Sequence, residues 1–434
     1  MESGTAEHSR SGVSAAAGSE PARAGPRALE QPGPEAARPV ATVVHVTTVP
    51  MSLSTHLGGQ VRYLCQQGFE VHVIASPGEA LQTFGRSEGV EVHAVPMVRA
   101  ITPARDLVAL YRLWRTIRRI RPTIVHSHTP KGGLLGMIAA WLARTPVRVY
   151  HIRGLPFVTA AGARRRLLRA TEKVACALAH RVLAVSHSMR AIAIEEGLCP
   201  AEKVAVLCGG SGNGVDARGR FLPLPPSVRA EVRREHGIPR DALVIGFVGR
   251  LSRDKGVVEL AEAWGRLRED ARLHLLILGP REMAGVDPRV EQRLRSDERV
   301  HFAGEVRDVA RQYASMDVVA LPTYREGFPN VALEAAAMGL PIVATRVPGC
   351  VDAVEDGITG TLVPAQDAGA LASALSRYLA DPTIRTRHGE AGRSRALAQF
   401  GREAIWEAVR GEYRELLAPQ PWTSSRTDDP PVDG

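Results

Sequence analysis

Short runs of β-branched and aliphatic residues alternate with helix-like segments along most of this chain, and that alternation constrains the fold more than any other feature. Residues 42–47 (TVVHVT), 71–75 (VHVIA), 123–126 (TIVH), 147–151 (VRVYH) and 182–185 (VLAV) read as strands in the first half. Residues 244–248 (VIGFV), 273–278 (LHLLIL), 300–302 (VHF), 318–321 (VVAL) and 341–344 (PIVA) do so in the second. Helix-like stretches such as 106–120 and 134–143 fill the intervals. Strands apolar on both faces need cover on both, and helical connections carry the chain back so that each strand runs parallel to the last. The expectation is an α/β fold of two doubly wound, Rossmann-like parallel-sheet domains facing each other across a cleft. Ligands then bind outside the carboxyl ends of the strands.

At 434 residues the chain exceeds what one hydrophobic core organises. A glycine run at 209–214 (GGSGNG) and a proline-rich stretch at 222–227 (LPLPPS) mark the join, placing the domains at 39–208 and 209–401. Residues 1–38 and 419–434 lack the apolar content needed to order themselves and are read as disordered tails; the first also lacks the apolar core of a secretory signal. The five cysteines are scattered, odd in number and without a Cys-x-x-Cys pair, so neither a zinc site nor a disulfide framework is indicated and a cytoplasmic setting is expected. The most apolar stretch, 132–143, is too short to span a bilayer.

Charge is uneven. Residues 39–200 carry 20 Lys/Arg against 8 Asp/Glu, a net +12, whereas the whole chain is +9. Basic residues gather at Arg112, Arg115, Arg118, Arg119 and Arg121, and again at Arg164, Arg165, Arg166 and Arg169. Aromatic content of 5% and the lack of a stacking platform argue against nucleic acid. An anionic membrane surface is the expected partner. Leu110, Leu113, Trp114 and Ile117 fall at helical spacing with the arginines mostly off that stripe, which fits either a membrane-docking helix or one packed on a sheet.

The chemistry concentrates in YREGFPNVALEAAAMG at residues 324–339. Pro322 ends the strand before it, Gly327 and Pro329 make an irregular turn, and Asn330 is placed to cap a helix starting near Val331. Glu326 then lies in the loop and Glu334 one turn into the helix. A helix start offers unpaired N–H groups and the positive end of a dipole to a phosphate, while the carboxylates accept hydroxyl hydrogen bonds. Such a set suits a sugar nucleotide. Upstream, GRLSRDKG at 249–256 follows another strand; Gly249 permits a sharp turn, and Arg250 and Lys255 bracket the loop. Two fixed cations beside a diphosphate stabilise the charge that builds as a glycosidic bond breaks. HSHTPKGG at 126–133 sits at a third strand end, where a neutral imidazole could accept a proton from a hydroxyl or polarise a donor sugar, and Lys131 could face a phosphate. His126 is read as a structural residue of the strand.

The Glu326/Glu334 pair, with Gly327, Phe328, Pro329 and Asn330 between them, resembles the Glu-x7-Glu motif of retaining glycosyltransferases with the GT-B fold, in particular family 4. GRLSRDKG resembles the family's second donor-binding motif, and the likeness covers roughly residues 40–418. It implies donor binding by Gly59, Asn213, Gly249, Arg250, Lys255, Glu326, Gly327, Phe328, Asn330, Val331 and Glu334. Catalytic roles are implied for His128, Glu326, Arg250 and Lys255. It also implies a final helix at 402–418 that returns to the first domain. Arg153 opens a segment, RGLPF, similar to one carried by members acting on polysaccharide precursors, and with Lys131 it is assigned to the acceptor.

No Gly-x-Gly-x-x-Gly occurs, so no nicotinamide cofactor is implied, and no Asp-x-Asp occurs, so a metal-independent reaction is expected. The implied activity is retaining transfer of a sugar from a nucleoside-diphosphate sugar, UDP-linked, to a hydroxyl of a polyprenyl-diphosphate-linked glycan. The place would be the cytoplasmic face of the cell membrane, on the path to surface polysaccharide. The rivals are a UDP-sugar 2-epimerase-like isomerase, which shares the fold, and a non-catalytic sugar-nucleotide-binding protein.

Overall fold

Each apolar run pairs in parallel with its neighbours. The computed structural model describes residues 39–418 apart from Ala284; the two stretches read as tails lie outside the described residues. Strands β1 (Thr42–Val46), β2 (Glu70–Ala75), β3 (Glu91–Ala94), β4 (Ile124–His128), β5 (Val147–Ile152), β6 (Arg181–Ala184) and β7 (Val204–Ala205) form one sheet, in the order β3-β2-β1-β4-β5-β6-β7. Strands β8 (Leu243–Val248), β9 (Leu273–Leu278), β10 (Val300–Gly304), β11 (Val318–Leu321), β12 (Ile342–Thr345) and β13 (Gly360–Val363) form the second, in the order β10-β9-β8-β11-β12-β13. The strand order reverses between β1 and β4 and between β8 and β11. Crossovers leave in opposite directions there and open a crevice at the strands' C-terminal ends.

The helix Pro103–Ile120 resolves the ambiguity of its apolar stripe. Leu113 and Ile117 are buried with Val44, Ile74 and Met97, and Leu110 and Trp114 pack against them, so the stripe faces the sheet. Each such side chain withdrawn from water contributes about 1.5–3 kcal/mol. Leu107, Val108 and Tyr111 on another face stay more than half exposed. The helix Arg402–Leu417 buries Val409 and Tyr413 in the core that holds Val43 and Val71 of the first sheet. Its Tyr413 hydroxyl lies 2.6 Å from His126 Nδ1.

Behind β5, the helix Gly162–Leu178 buries a carboxyl. The Tyr150 hydroxyl donates to Glu172 Oε2 at 2.6 Å, and burial pushes Glu172 up to about 7. A raised folded-state pKa favours the fold fully below the unfolded value near 4.5, and that stability is lost as pH rises through about 7. Glu172→Gln keeps an acceptor for Tyr150 without the ionisation. Its melting temperature should gain on the wild type as pH goes from 4.5 to above 7, by an amount equivalent to about 3 kcal/mol. A pH-independent difference between the two melting curves would contradict this.

Candidate active site

The loop after β8 and the loop after β11 leave adjacent strands and are pressed together. Gly256, at φ 74°, precedes the helix Val257–Leu267, and a Cβ on it would lie 1.9 Å from the Pro322 carbonyl oxygen. No other residue fits that approach. Tyr324 N and Thr323 Oγ1 both donate to the Asp254 carbonyl, at 2.9 and 3.1 Å. Across this seam Lys255 Nζ stands 2.5 Å from Glu326 Oε1. The Asp254 carboxylate accepts from Ser252 Oγ at 2.6 Å and holds Arg250 Nη2 at 3.3 Å and Arg325 Nη2 at 3.7 Å. Burial works against the charge on Asp254, but Ser252 and the guanidiniums outweigh it and keep the carboxyl below its usual range. Burial opposes the charge on Arg250 too; its pairs with Glu282 and Asp254 prevail and hold it above the usual value.

The first sheet supplies the facing wall. Arg153 follows β5 and is half-buried, and desolvation lowers its guanidinium to about 9. Its Nη2 donates to the His56 carbonyl at 3.2 Å, and its Nε donates to His128 Nδ1 at 3.2 Å. A guanidinium only donates. His128 therefore carries its proton on Nε2 and passes it to His45 Nδ1, 3.0 Å away, which leaves the His45 proton on an Nε2 with no partner. Burial, reinforced by Arg153, lowers His45 to about 3, and burial keeps His126 and His128 well below the ordinary imidazole value. Both nitrogens of His128 are thus occupied, and the ring is fully buried behind Arg153. His45, His126 and His128 bring ring nitrogens within 4.8 Å of one another, but the adjacent guanidinium and the forced tautomers make this a hydrogen-bond chain rather than a cation site.

These elements enclose a cavity of about 180 Å³ whose charged lining is Arg153, Arg250, Lys255 and Arg325 against Asp254 and Glu326. The lining is net positive even with Glu282 paired to Arg250 from outside it, and an anionic diphosphate meets that charge. The halves are latched beside it: Ser186 Oγ donates to the Gly327 carbonyl at 2.9 Å, and Gly349 N donates to Ser188 Oγ at 2.8 Å.

Not every residue expected at the site arrives there. Asn330 does not cap: the helix Asn330–Ala337 has Pro329 at its N-cap, with no side-chain cap bond, because the extended Pro329 already turns its carbonyl to Ala332 N at 3.1 Å. Asn330 and Glu334 line a separate cavity of about 100 Å³ with Arg220 and Arg402. Glu334 accepts from the Tyr313 hydroxyl at 3.0 Å, and burial raises its pKa. Lys131 does not face an open phosphate site; it pairs with Asp106 at 2.7 Å. Gly59 N is taken by Glu88 Oε2 at 3.1 Å. Asn213 is used in full, donating to the Gly58 carbonyl at 3.1 Å and accepting from Trp406 Nε1 at 2.8 Å. Phe328 and Val331 pack into the core. Asp254, Arg325 and Arg220 were missed. Asp254 and Arg325 stood within the two motifs, whereas nothing in sequence singles out Arg220.

Two doubly wound sheets whose switch-point loops close on a cationic cavity define a GT-B architecture. The chain matches the model described as glycosyl transferases group 1 over residues 242–381 and that of the glycosyl transferase 4-like domain over residues 52–210. It is 32% identical over 377 residues to the capsular polysaccharide biosynthesis glycosyltransferase CapM of Staphylococcus aureus, covering 86% of this chain and 97% of that one. Alpha-maltose-1-phosphate synthase of Mycobacterium tuberculosis is 32% identical over 318 residues, 68% of this chain and 80% of that one. The crystal structure of Anabaena Alr3699/HepE in complex with UDP and glucose superposes with a TM-score of 0.73 at 20% identity, covering 86% of this chain and 100% of that one. The chain belongs to the family 4 glycosyltransferases of the GT-B fold, and it is an enzyme that transfers sugars.

Proposed function

We propose that this enzyme transfers a sugar, with retention, from a UDP-sugar to a hydroxyl of a lipid-linked glycan during surface polysaccharide assembly at the inner face of the cell membrane. The observation that carries the reading is the cavity in which Arg153, Arg250 and Arg325 surround the Lys255–Glu326 seam. The donor diphosphate lies among the cations, and Glu326 accepts hydroxyl hydrogen bonds from the sugar. The acceptor oxygen bonds to the anomeric carbon as its bond to the β-phosphate oxygen breaks, on the same face, and the acceptor proton passes to that departing oxygen. No carboxylate in the cavity other than Glu326 and Asp254 is available as a covalent nucleophile, and both are tied in ion pairs. His128 acts by holding Arg153 in place. Glu334 and Asn330 contribute to donor binding from the neighbouring cavity, Val331 supports the start of their helix from the core, and Gly249 turns the loop after β8.

Similarity to CapM supports a polysaccharide precursor as acceptor, and the likeness to the UDP-bound Anabaena protein supports a uridine donor. No helix among the described residues is long and apolar enough to cross a membrane. Exposed Leu107, Val108 and Tyr111 beside exposed Arg105, Arg112 and Arg115 support peripheral attachment, in which each basic residue contributes about 1 kcal/mol at an anionic surface. Radiolabelled UDP-sugars incubated with a polyprenyl-diphosphate glycan should give labelled lipid product. That rate should survive EDTA, because side-chain cations neutralise the diphosphate. Folded protein that transfers from no donor of a broad panel would overturn the proposal. Complete loss in EDTA, restored by magnesium or manganese with an acceptor lacking phosphate, would overturn its metal-independent part.

A further inference from the structure

At the edge of the first sheet, away from the residues that line the cavity, four chemistry-bearing side chains share one face. The strands pair with His72 opposite Glu91 and Ile74 opposite His93, so Glu70 and His72 of β2 point the same way as Glu91 and His93 of β3. His72 Nδ1 lies 3.2 Å from His93 Nε2 and 3.5 Å from Glu91 Oε2, and His93 Nε2 lies 3.6 Å from Glu91 Oε1. Ligands about 2.0–2.1 Å from a tetrahedral zinc ion stand about 3.3 Å apart. The two ring nitrogens are already at that spacing, Glu91 turns one carboxylate oxygen to each of them, and one ligand atom from each of the three residues lies within 4.8 Å of the others.

We propose that His72, His93 and Glu91 bind one divalent transition-metal ion of the zinc class, clipping edge strand β3 to β2. A second set of contacts supports this. His72 Nε2 faces Glu70 Oε1 at 3.3 Å, and Thr42 Oγ1 donates to the other oxygen of that carboxylate at 2.7 Å. A carboxylate on the far nitrogen of a ligating histidine fixes its tautomer and turns the Nδ1 lone pair toward the metal. Both imidazole side chains are only 9% exposed while Glu91 is 65% exposed, which leaves an entry path and an open fourth position for water. The facing charges are the carboxylates of Glu70 and Glu91 against Arg119 of the overlying helix. The site lies on edge strand β3 and its neighbour β2, and none of its residues lines the transfer cavity, so the metal acts on the sheet edge and not on sugar transfer.

Cobalt(II) and zinc titrations of tag-free, metal-stripped full-length protein test this. The expected result is one equivalent bound, a visible cobalt band of tetrahedral form, and a zinc-dependent rise in melting temperature. Glu70→Gln should weaken zinc about 10- to 100-fold. His72→Gln with His93→Gln should abolish both the band and the thermal gain, while sugar transfer stays at the wild-type rate. Absence of stoichiometric binding would overturn the proposal. So would binding unchanged in the double variant, which would direct attention to the buried histidines beside Arg153.

Discussion

Lys255→Ala should lower kcat by about 100- to 1,000-fold in a protein that remains folded. Lys255 sits on a single 3-10 turn, its side chain is 22% exposed, and it packs into no core, so its removal costs the fold little. What it removes is the ammonium group nearest Glu326. The carboxylate is then left unpaired at the wall where a diphosphate must lie, adding repulsion to the lost attraction. Glu326→Ala should fall in the same range for the complementary reason: the sugar loses its acceptor and Lys255 its partner. Because the two act as one unit across the seam, the double variant should be little worse than either single one. Circular dichroism establishes the fold and steady-state kinetics the rate. A Glu326→Ala enzyme with more than half of wild-type activity would mean the seam is not where the chemistry happens.

Arg153→Ala should lower the rate by about 100-fold or more and weaken UDP far more than uridine. The guanidinium joins the His56 carbonyl and His128 to the cavity wall, and among the described residues of the first half no other cation lines that cavity. Removing it strips charge from the phosphate side and leaves the buried His128 Nδ1 without its donor, a loss of about 1–3 kcal/mol in stability. Arg153→Lys should recover little, since one ammonium cannot span two acceptors held by a planar fork. The contrast between UDP and uridine separates a phosphate contact from general damage. Equal weakening of both ligands would show that Arg153 only supports the wall. A purely packing role would lower the melting temperature and leave UDP affinity intact.

Much of this architecture is legible in the sequence because a strand buried on both faces must be apolar throughout. All ten runs read as strands pair as strands, within a residue or two of their bounds. The three that escape notice, β3, β7 and β13, are all sheet edges, where one side is unpaired and an apolar run is not required. The site is legible where spacing and local turns decide it: Arg250, Lys255, Glu326 and Gly327 are brought together by two loops leaving neighbouring strands. It is not legible where long side chains choose between distant partners. Lys131 turns to Asp106 rather than to the cleft, and Asn213 spends its amide on Gly58 and Trp406. The sequence places Arg153 on the acceptor side, and it does not show that its nitrogens reach His128 and His56 beside Arg250 and Lys255. The direction of the His128 proton depends on that arginine and has no signature in a His-x-His spacing.

A crystal of the enzyme soaked with UDP in the presence of EDTA tests the central claim most directly. The account predicts the two phosphates between Lys255 Nζ and the Arg250 and Arg153 guanidiniums, with at least one oxygen within about 3 Å of each cation. UDP bound with its phosphates away from all three, or bound only when a divalent ion is restored, would contradict it.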